Sequence, residues 1–249
     1  MTDAQPRYRY ETHMHTSEAS ACGRSGGAEL AEMYARAGYA GIVVTDHFFN
    51  GNCAVPADLP WHERVERFCL GYERAAAAGR PLGLTVFLGW EYNYQGTEFL
   101  TYGLGKDFLL AHDDILQWDV IDYLDAVRAA GGFVSQAHPF RQREYIRYTR
   151  LLHKHVDAAE VHNACDQDAW NEMAERYAQV NDLAWTAGSD CHHVRWPQLS
   201  GLAFAQPLDS VEALVEALRS RSGRVLRGVE NPSADVAEPS GPTTHSVAS

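Results

Sequence analysis

Gly41-Ile-Val-Val-Thr-Asp-His47 is the stretch on which the class of fold turns. No polar side chain interrupts it before Thr45, and three of its first four residues are β-branched. A strand with one face in water alternates polar and apolar residues. An unbroken apolar run predicts a strand buried on both faces, as in a parallel sheet covered by helices. The run ends in Asp46-His47, so chemistry arrives at the C-terminal end of the strand. Adjacent residues leave opposite faces. We therefore expect His47 to face a site and Asp46 to orient an imidazole from behind.

Outward from this strand the same unit recurs. Apolar residues at helical spacing predict helices over 28–37, 61–78, 119–130, 143–152, 167–181 and 210–220. Strands are predicted over 85–93, 133–138, 158–163, 184–190 and 202–206, with 98–104 as a hairpin partner of 85–93. Such alternation is the pattern of a parallel β/α architecture. Histidines and carboxylates stand at the C-terminal end of nearly every strand, and these ends converge only if the sheet closes into a barrel. We expect a single barrel domain over residues 8–229. The Ser-, Thr-, Pro- and Ala-rich residues 230–249 are expected to be a disordered tail.

Tyr8-Arg-Tyr-Glu-Thr-His-Met-His15 supplies the first ligand pair, since side chains at i and i+2 leave one face of a strand and set His13 beside His15. Gly89-Trp-Glu-Tyr-Asn93 buries Glu91 among aromatic residues, where a carboxylate wants either a cation or an arginine. Pro139 stops a strand at His138. Gly188-Ser-Asp-Cys-His192 repeats the opening spacing with Asp190 and His192. Five of the twelve histidines thus stand at strand exits. With Glu91 and Asp190 they make seven ligands, enough for two divalent metals sharing a carboxylate and nearly enough for three.

Composition narrows the partners. The 249 residues carry a formal net charge of −12, which repels nucleic-acid backbones, and no Lys/Arg-rich stripe offsets it. Five cysteines without a Cys-x-x-Cys pair suit reduced thiols in a cytoplasm. No apolar run approaches the ~18 residues of a spanning helix, so no membrane partner is expected.

His-x-His, Thr-Asp-His, Gly-x-Glu, Ala-His-Pro and Gly-Ser-Asp-x-His, in this order over residues 10–228, resemble the polymerase and histidinol phosphatase (PHP) superfamily of metal-dependent phosphoesterases. The resemblance implies a distorted (β/α)7 TIM-like barrel with two or three Mn, Fe or Zn ions at its C-terminal mouth. It implies His13, His15, Glu91 and Asp190 around one metal, with Glu91 reaching a second that His138 also binds. His47 and His192 would hold a third, with a residue from the loop after His15. Many members carry an Asp five positions after the second His. Here Ser20 stands there, and Glu18 is the nearest carboxylate. Many also have a His on the strand preceding the His-Pro motif, where this chain has only Glu98 with Leu100 roughly in register.

Arg141, three residues past His138, is expected to grip a phosphate, with Arg24 as a second candidate and His162, ending the 158–163 strand, as a possible substrate contact. The expected activity is hydrolysis of a small phosphomonoester or nucleotide phosphodiester by a metal-bound hydroxide, with Glu91 and Asp190 as catalytic carboxylates. The alternatives are a 5′→3′ exoribonuclease, which would meet nucleic acid as a short oligonucleotide, a non-catalytic metal-binding PHP module, and C–N bond hydrolysis in a similar barrel.

Overall fold

A computed structural model describes residues 7–234; most of the expected tail, 235–249, lies outside the described residues. Nine strands form one sheet in the order β7-β6-β5-β4-β3-β2-β1-β8-β9. They are β1 (Tyr8–Glu11), β2 (Gly41–Val44), β3 (Thr85–Tyr94), β4 (Thr97–Tyr102), β5 (Phe133–Gln136), β6 (Ala158–Asn163), β7 (Ala184–Gly188), β8 (Gln198–Phe204) and β9 (Arg224–Glu230). Seven helices accompany them: α1 (Gly27–Arg36), α2 (Trp61–Phe68), α3 (Leu70–Gly79), α4 (Lys106–Ala111), α5 (Val120–Ala129), α6 (Asp168–Val180) and α7 (Val211–Arg219).

All four residues of β2 are buried, and β2 pairs in parallel with β1 and β3, as its unbroken apolar run requires. The sheet nearly closes on itself. Past the end of β1, Met14 bridges Cys191 in parallel, and the His15 N–H donates to the Cys191 carbonyl at 2.8 Å. The exits of β1 and β7 therefore meet, and the ligand-bearing ends of the strands share one mouth.

The barrel is more irregular than seven β/α units. β4 runs antiparallel to both β3 and β5, and β8 lies antiparallel to β1. β9 escaped the sequence reading because its residues are exposed or half-buried, with Arg224, Arg227 and Glu230 breaking any apolar face. Asn231 extends the fold into the expected tail: it is buried, and its Nδ2 donates to the carbonyls of Val194 and Trp196.

Two predicted helices differ. The 61–78 helix divides at Cys69 into α2 and α3. At Gly71, α3 presses on the loop that follows His15: a Cβ there would stand 2.1 Å from the Thr16 hydroxyl. No helix forms over 143–152. The buried Gln136 side chain takes up that segment's backbone instead, donating to the Arg150 carbonyl and accepting from the Leu152 N–H. The segment is left as a loop beside the barrel mouth. No helix among the described residues is long and apolar enough to cross a membrane, and all five cysteines are free.

Candidate metal centre

Glu11 sets the first ligands in place. Buried at the end of β1, its Oε1 accepts from the N–H groups of Thr12, His13 and Ser189, and its Oε2 from the hydroxyls of Tyr34 and Ser189. It thereby ties the strand exit bearing His13 to the one bearing Asp190. Burial raises its carboxyl to about 7 despite these donors. Glu160, buried on β6, does the same from the other side: Oε1 lies 2.9 Å from His13 Nδ1, and Oε2 accepts from the His138 N–H at 3.0 Å. With its Nδ1 on Glu160, His13 keeps Nε2 for the mouth. Glu11 and Glu160 were both missed in the sequence. The usable signal was a lone carboxylate inside an otherwise buried strand.

Between β7 and β1 there is no room for a side chain on residue 188. A Cβ on Gly188 would lie 2.3 Å from the His13 Cβ and 3.0 Å from Glu160 Oε1. Gly188→Ala is expected to lower stability by about 1–3 kcal/mol. Denaturant unfolding measures it; an unchanged midpoint would mean that His13 is loosely held.

The ligand groups converge around Glu91. Its Oε1 lies 3.2 Å from His13 Nε2 and 3.1 Å from His138 Nε2. Its Oε2 lies 2.8 Å from His47 Nδ1 and 3.6 Å from His15 Nε2. The Nε2 atoms of His13 and His15 are 3.2 Å apart, and Asp190 Oδ1 is 3.1 Å from His15 Nε2. Donor atoms of His15, His47 and His192 lie within 4.8 Å of one another, as do those of His13, Glu91 and His138, and those of His13, His15 and Asp190. His138 and Asp190 adopt positive φ angles of 26° and 51°. Backbone held in this region by its surroundings is strained, a feature that clusters at functional sites.

Residue types and packing fit a cation. Glu91 Oε2 and His47 Nδ1 are buried and face each other, yet neither makes a properly directed hydrogen bond. Two such orphans in contact would be costly without an ion between or beside them. Burial would neutralise Glu91, but His13 and His47 hold it well below the usual carboxylate range; His13 and Arg141 do the same for Asp190. Burial and the neighbouring His47 push His15 down to about 3, leaving it a neutral imidazole, the form that ligates metal.

His13, His47 and His138 go the other way. Burial lowers them, but nearby carboxylates, among them Glu91, outweigh it and raise each above 6.5. Without metal these rings keep protons near neutrality, and a cation must displace them. Metal binding at pH 7 should therefore release protons, and affinity should rise with pH through the neutral range. Calorimetry in two buffers of different ionisation enthalpy measures the release; binding with no proton exchange would contradict these assignments.

Other candidate residues stand elsewhere or act differently. Asp46 reaches an imidazole only through Ser20, which donates to it at 2.7 Å and lies 3.3 Å from His15 Nδ1. Glu18 lies outside the cluster: its carboxylate accepts from the Gly27 N–H at the start of α1 and pairs with Arg74. Glu98 belongs to the mouth, 3.5 Å from His138 Nε2 and 3.9 Å from His47 Nδ1, while Leu100 is opposite Glu91 in the sheet. Arg141 is buried, with Nε 2.6 Å from Asp166 and Nη1 2.8 Å from Asp190. Its Nη2 has no partner. Arg24 is exposed, and its backbone N–H donates to the His192 carbonyl. His162 is turned away. A register shift between Glu160 and His162 breaks the i, i+2 relation, and His162 lines a surface groove with Asp168, Asn171 and Glu175. Cys22, unremarked in the sequence, stands at the mouth: burial raises its thiol, but the imidazoles of His192 and His47 bring it down to about 6.

Comparisons with known proteins bear on the fold. Residues 168–222 match the family model described as PHP-associated. No curated protein matches the chain by sequence. Among solved structures, a two-domain protein of Bacteroides vulgatus, named as containing a predicted PHP-like metal-dependent phosphoesterase, superposes with a TM-score of 0.67 at 16% identity. The match covers 89% of this chain and 65% of that one, so this chain spans less than two thirds of that protein. PsfC of Pseudomonas syringae gives 0.61 at 19% identity, over 92% and 94% of the two chains. An amidohydrolase of Chromobacterium violaceum, solved with sulfate and no metal, gives 0.54 at 14% identity, over 88% and 98%. In fold the chain is a distorted α/β barrel similar to these structures, and the segment that matches the PHP-associated model runs from α6 to just past α7.

Proposed function

We propose that the chain is a metal-dependent hydrolase of small phosphoesters, either phosphomonoesters or nucleotide phosphodiesters. The division of the two Glu91 oxygens between His13/His138 and His47/His15 carries this reading, because it is the geometry of a carboxylate serving two cations at once. His13, His15, Glu91 and Asp190 would hold one ion, Glu91 and His138 a second with Glu98 beside it, and His47 and His192 a third. Bound there, two or three divalent ions of Mn, Fe or Zn would neutralise phosphate oxygens and acidify a water.

The chain's own residues supply the rest. Arg141 offers Nη2 to the phosphate while Asp166 and Asp190 fix its plane. Asp190, held ionised, serves as ligand and as anchor for Arg141, so proton transfer falls to a rim imidazole. The cavity at the mouth measures about 490 Å³, bordered by Asn50, Asn93, Arg143 and Tyr145. That is the scale of a small-molecule site, and with the acidic surface it favours a small substrate over a polymer. The five free cysteines support a cytoplasmic setting.

A panel of phosphomonoesters, nucleotide phosphodiesters, oligonucleotides and amides, assayed with each metal, tests the reading. We expect turnover of small phosphoesters with a shallow salt dependence. Preference for oligonucleotides with a steep salt slope would replace it with the exoribonuclease, amide turnover with C–N hydrolysis, and no turnover with a non-catalytic module.

A further inference from the structure

Glu160 belongs to none of the donor groups that could hold an ion among the described residues, yet it holds two residues that do. Its side chain is fully buried and its two oxygens have different partners. Oε1 meets only His13 Nδ1, at 2.9 Å, and a Cβ on Gly188 would stand 3.0 Å from it. Oε2 accepts from two donors, the His138 N–H and Asn163 Nδ2, both at 3.0 Å. The Asn163 amide is fixed in this sense, because its Oδ1 accepts the Cys165 N–H at 2.9 Å. Burial would raise the Glu160 carboxyl, but the charge of His13 outweighs it and keeps the group an ionised acceptor.

Each oxygen governs a different ligand in a different way. A carboxylate on Nδ1 keeps a proton there and leaves Nε2 its lone pair. In His13 that Nε2 stands 3.2 Å from Glu91 Oε1 and 3.2 Å from His15 Nε2. His138 is governed through its backbone instead. Its φ is 26°, its N–H is held by Oε2, and its carbonyl accepts the Arg141 N–H at 3.0 Å. A residue before proline favours extended backbone, so this conformation persists only because its surroundings impose it. So held, His138 puts Nε2 3.1 Å from Glu91 Oε1.

We infer that Glu160 is a positioning residue shared by two metal positions, setting the His13 tautomer with one oxygen and the His138 backbone with the other. The inference rests on the proposed metal centre, in which His13 and His138 serve different ions. It gives Glu160→Gln a specific consequence, since an amide has a single acceptor oxygen. Two N–H donors meet the Oε2 position and one meets Oε1, so the amide oxygen takes the place of Oε2. Its NH2 group then faces His13 and donates to Nδ1. The ring proton moves to Nε2, where it blocks the atom that would bind metal. His138 keeps its acceptor. Glu160→Ala, by contrast, removes both ties.

The test titrates zinc into the metal-free full chain against a chelating dye, and nitrogen NMR of the zinc-loaded protein reports the tautomer of each ring. In the wild type we expect His13 to carry its proton on Nδ1 and to bind zinc through Nε2. In Glu160→Gln one stepwise zinc constant should weaken by roughly ten- to a hundredfold, and the His13 proton should move to Nε2. In Glu160→Ala two constants should weaken. Ser135→Ala is the control for stability alone: it removes a buried hydrogen bond to Thr186 in the same barrel and touches no ligand. It should lower the melting temperature and leave the zinc constants and the His13 tautomer unchanged. Circular dichroism checks that each variant is folded, and the wild type with Glu160→Gln decides the tautomer even if Glu160→Ala is not. A wild-type His13 bound through Nδ1 would overturn the inference while sparing the metal centre. So would wild-type zinc constants and tautomer in Glu160→Gln, or an equal weakening in Ser135→Ala. A chain that takes up no zinc at all would overturn both.

Discussion

Glu91→Gln should cut kcat/KM on phosphoesters by more than about a hundredfold, the scale seen when a preorganised charge is removed from an active site. The substitution keeps shape and removes charge, so the loss reports electrostatics rather than packing. Both Glu91 oxygens lie within 3.2 Å of an imidazole nitrogen on different sides of the mouth, and the amide, with one carbonyl oxygen and an NH2 group, could not serve two cations at once. Metal content should fall as well. Glu98→Gln is the control in the same cavity and should cost about tenfold or less. Glu98 stands farther from the imidazoles, and burial beside Glu91 already raises its pKa toward the neutral form that Gln imitates. Steady-state kinetics with elemental analysis on both variants decides the matter. Equal losses would show that Glu91 is not the shared carboxylate.

Arg141→Ala should lower kcat/KM by roughly ten- to a hundredfold, equivalent to losing a charge-assisted hydrogen bond worth about 1.5–3 kcal/mol. The guanidinium is buried with one nitrogen unpaired, and the cost of that orphan is recovered only when an anion meets it. Metal content should stay unchanged, because no assigned ligand is removed. The variant also leaves Asp166 and Asp190 without their cation, so a lower melting temperature is expected alongside the kinetic loss. Arg141→Lys separates the two effects: it restores charge to the aspartates but not the planar fork. Recovered stability without recovered kcat/KM would fit a phosphate grip. Unchanged kcat/KM in Arg141→Ala would move the grip to another residue, with the cavity-lining Arg143 tested next.

The parts of the fold legible in the sequence were those with strong periodicity. The β2 run gave the buried parallel strand, and the i, i+2 spacing of His13 and His15 brought their Nε2 atoms to 3.2 Å of each other. Reversals of strand direction were less legible. β8 reads as an apolar strand whichever way it runs, and β9 has no apolar face to read. The supporting carboxylates were hidden for a related reason: Glu11 and Glu160 act through donors distant in the chain, such as Ser189 and His138. His162 was misplaced because alternation assumes an unbroken ladder, and the bulge after Glu160 breaks it. Glu18 is the carboxylate nearest the loop position that the resemblance implies, but α1 and Arg74 compete for its charge.

Elemental analysis of protein never exposed to chelator, paired with turnover of a small phosphoester by the same sample, tests whether the chain is a metal-dependent phosphoesterase. At least two equivalents of transition metal per chain are expected, with activity that disappears on chelation and returns on adding metal back. A preparation that hydrolyses phosphoesters at full rate with no bound metal would contradict it.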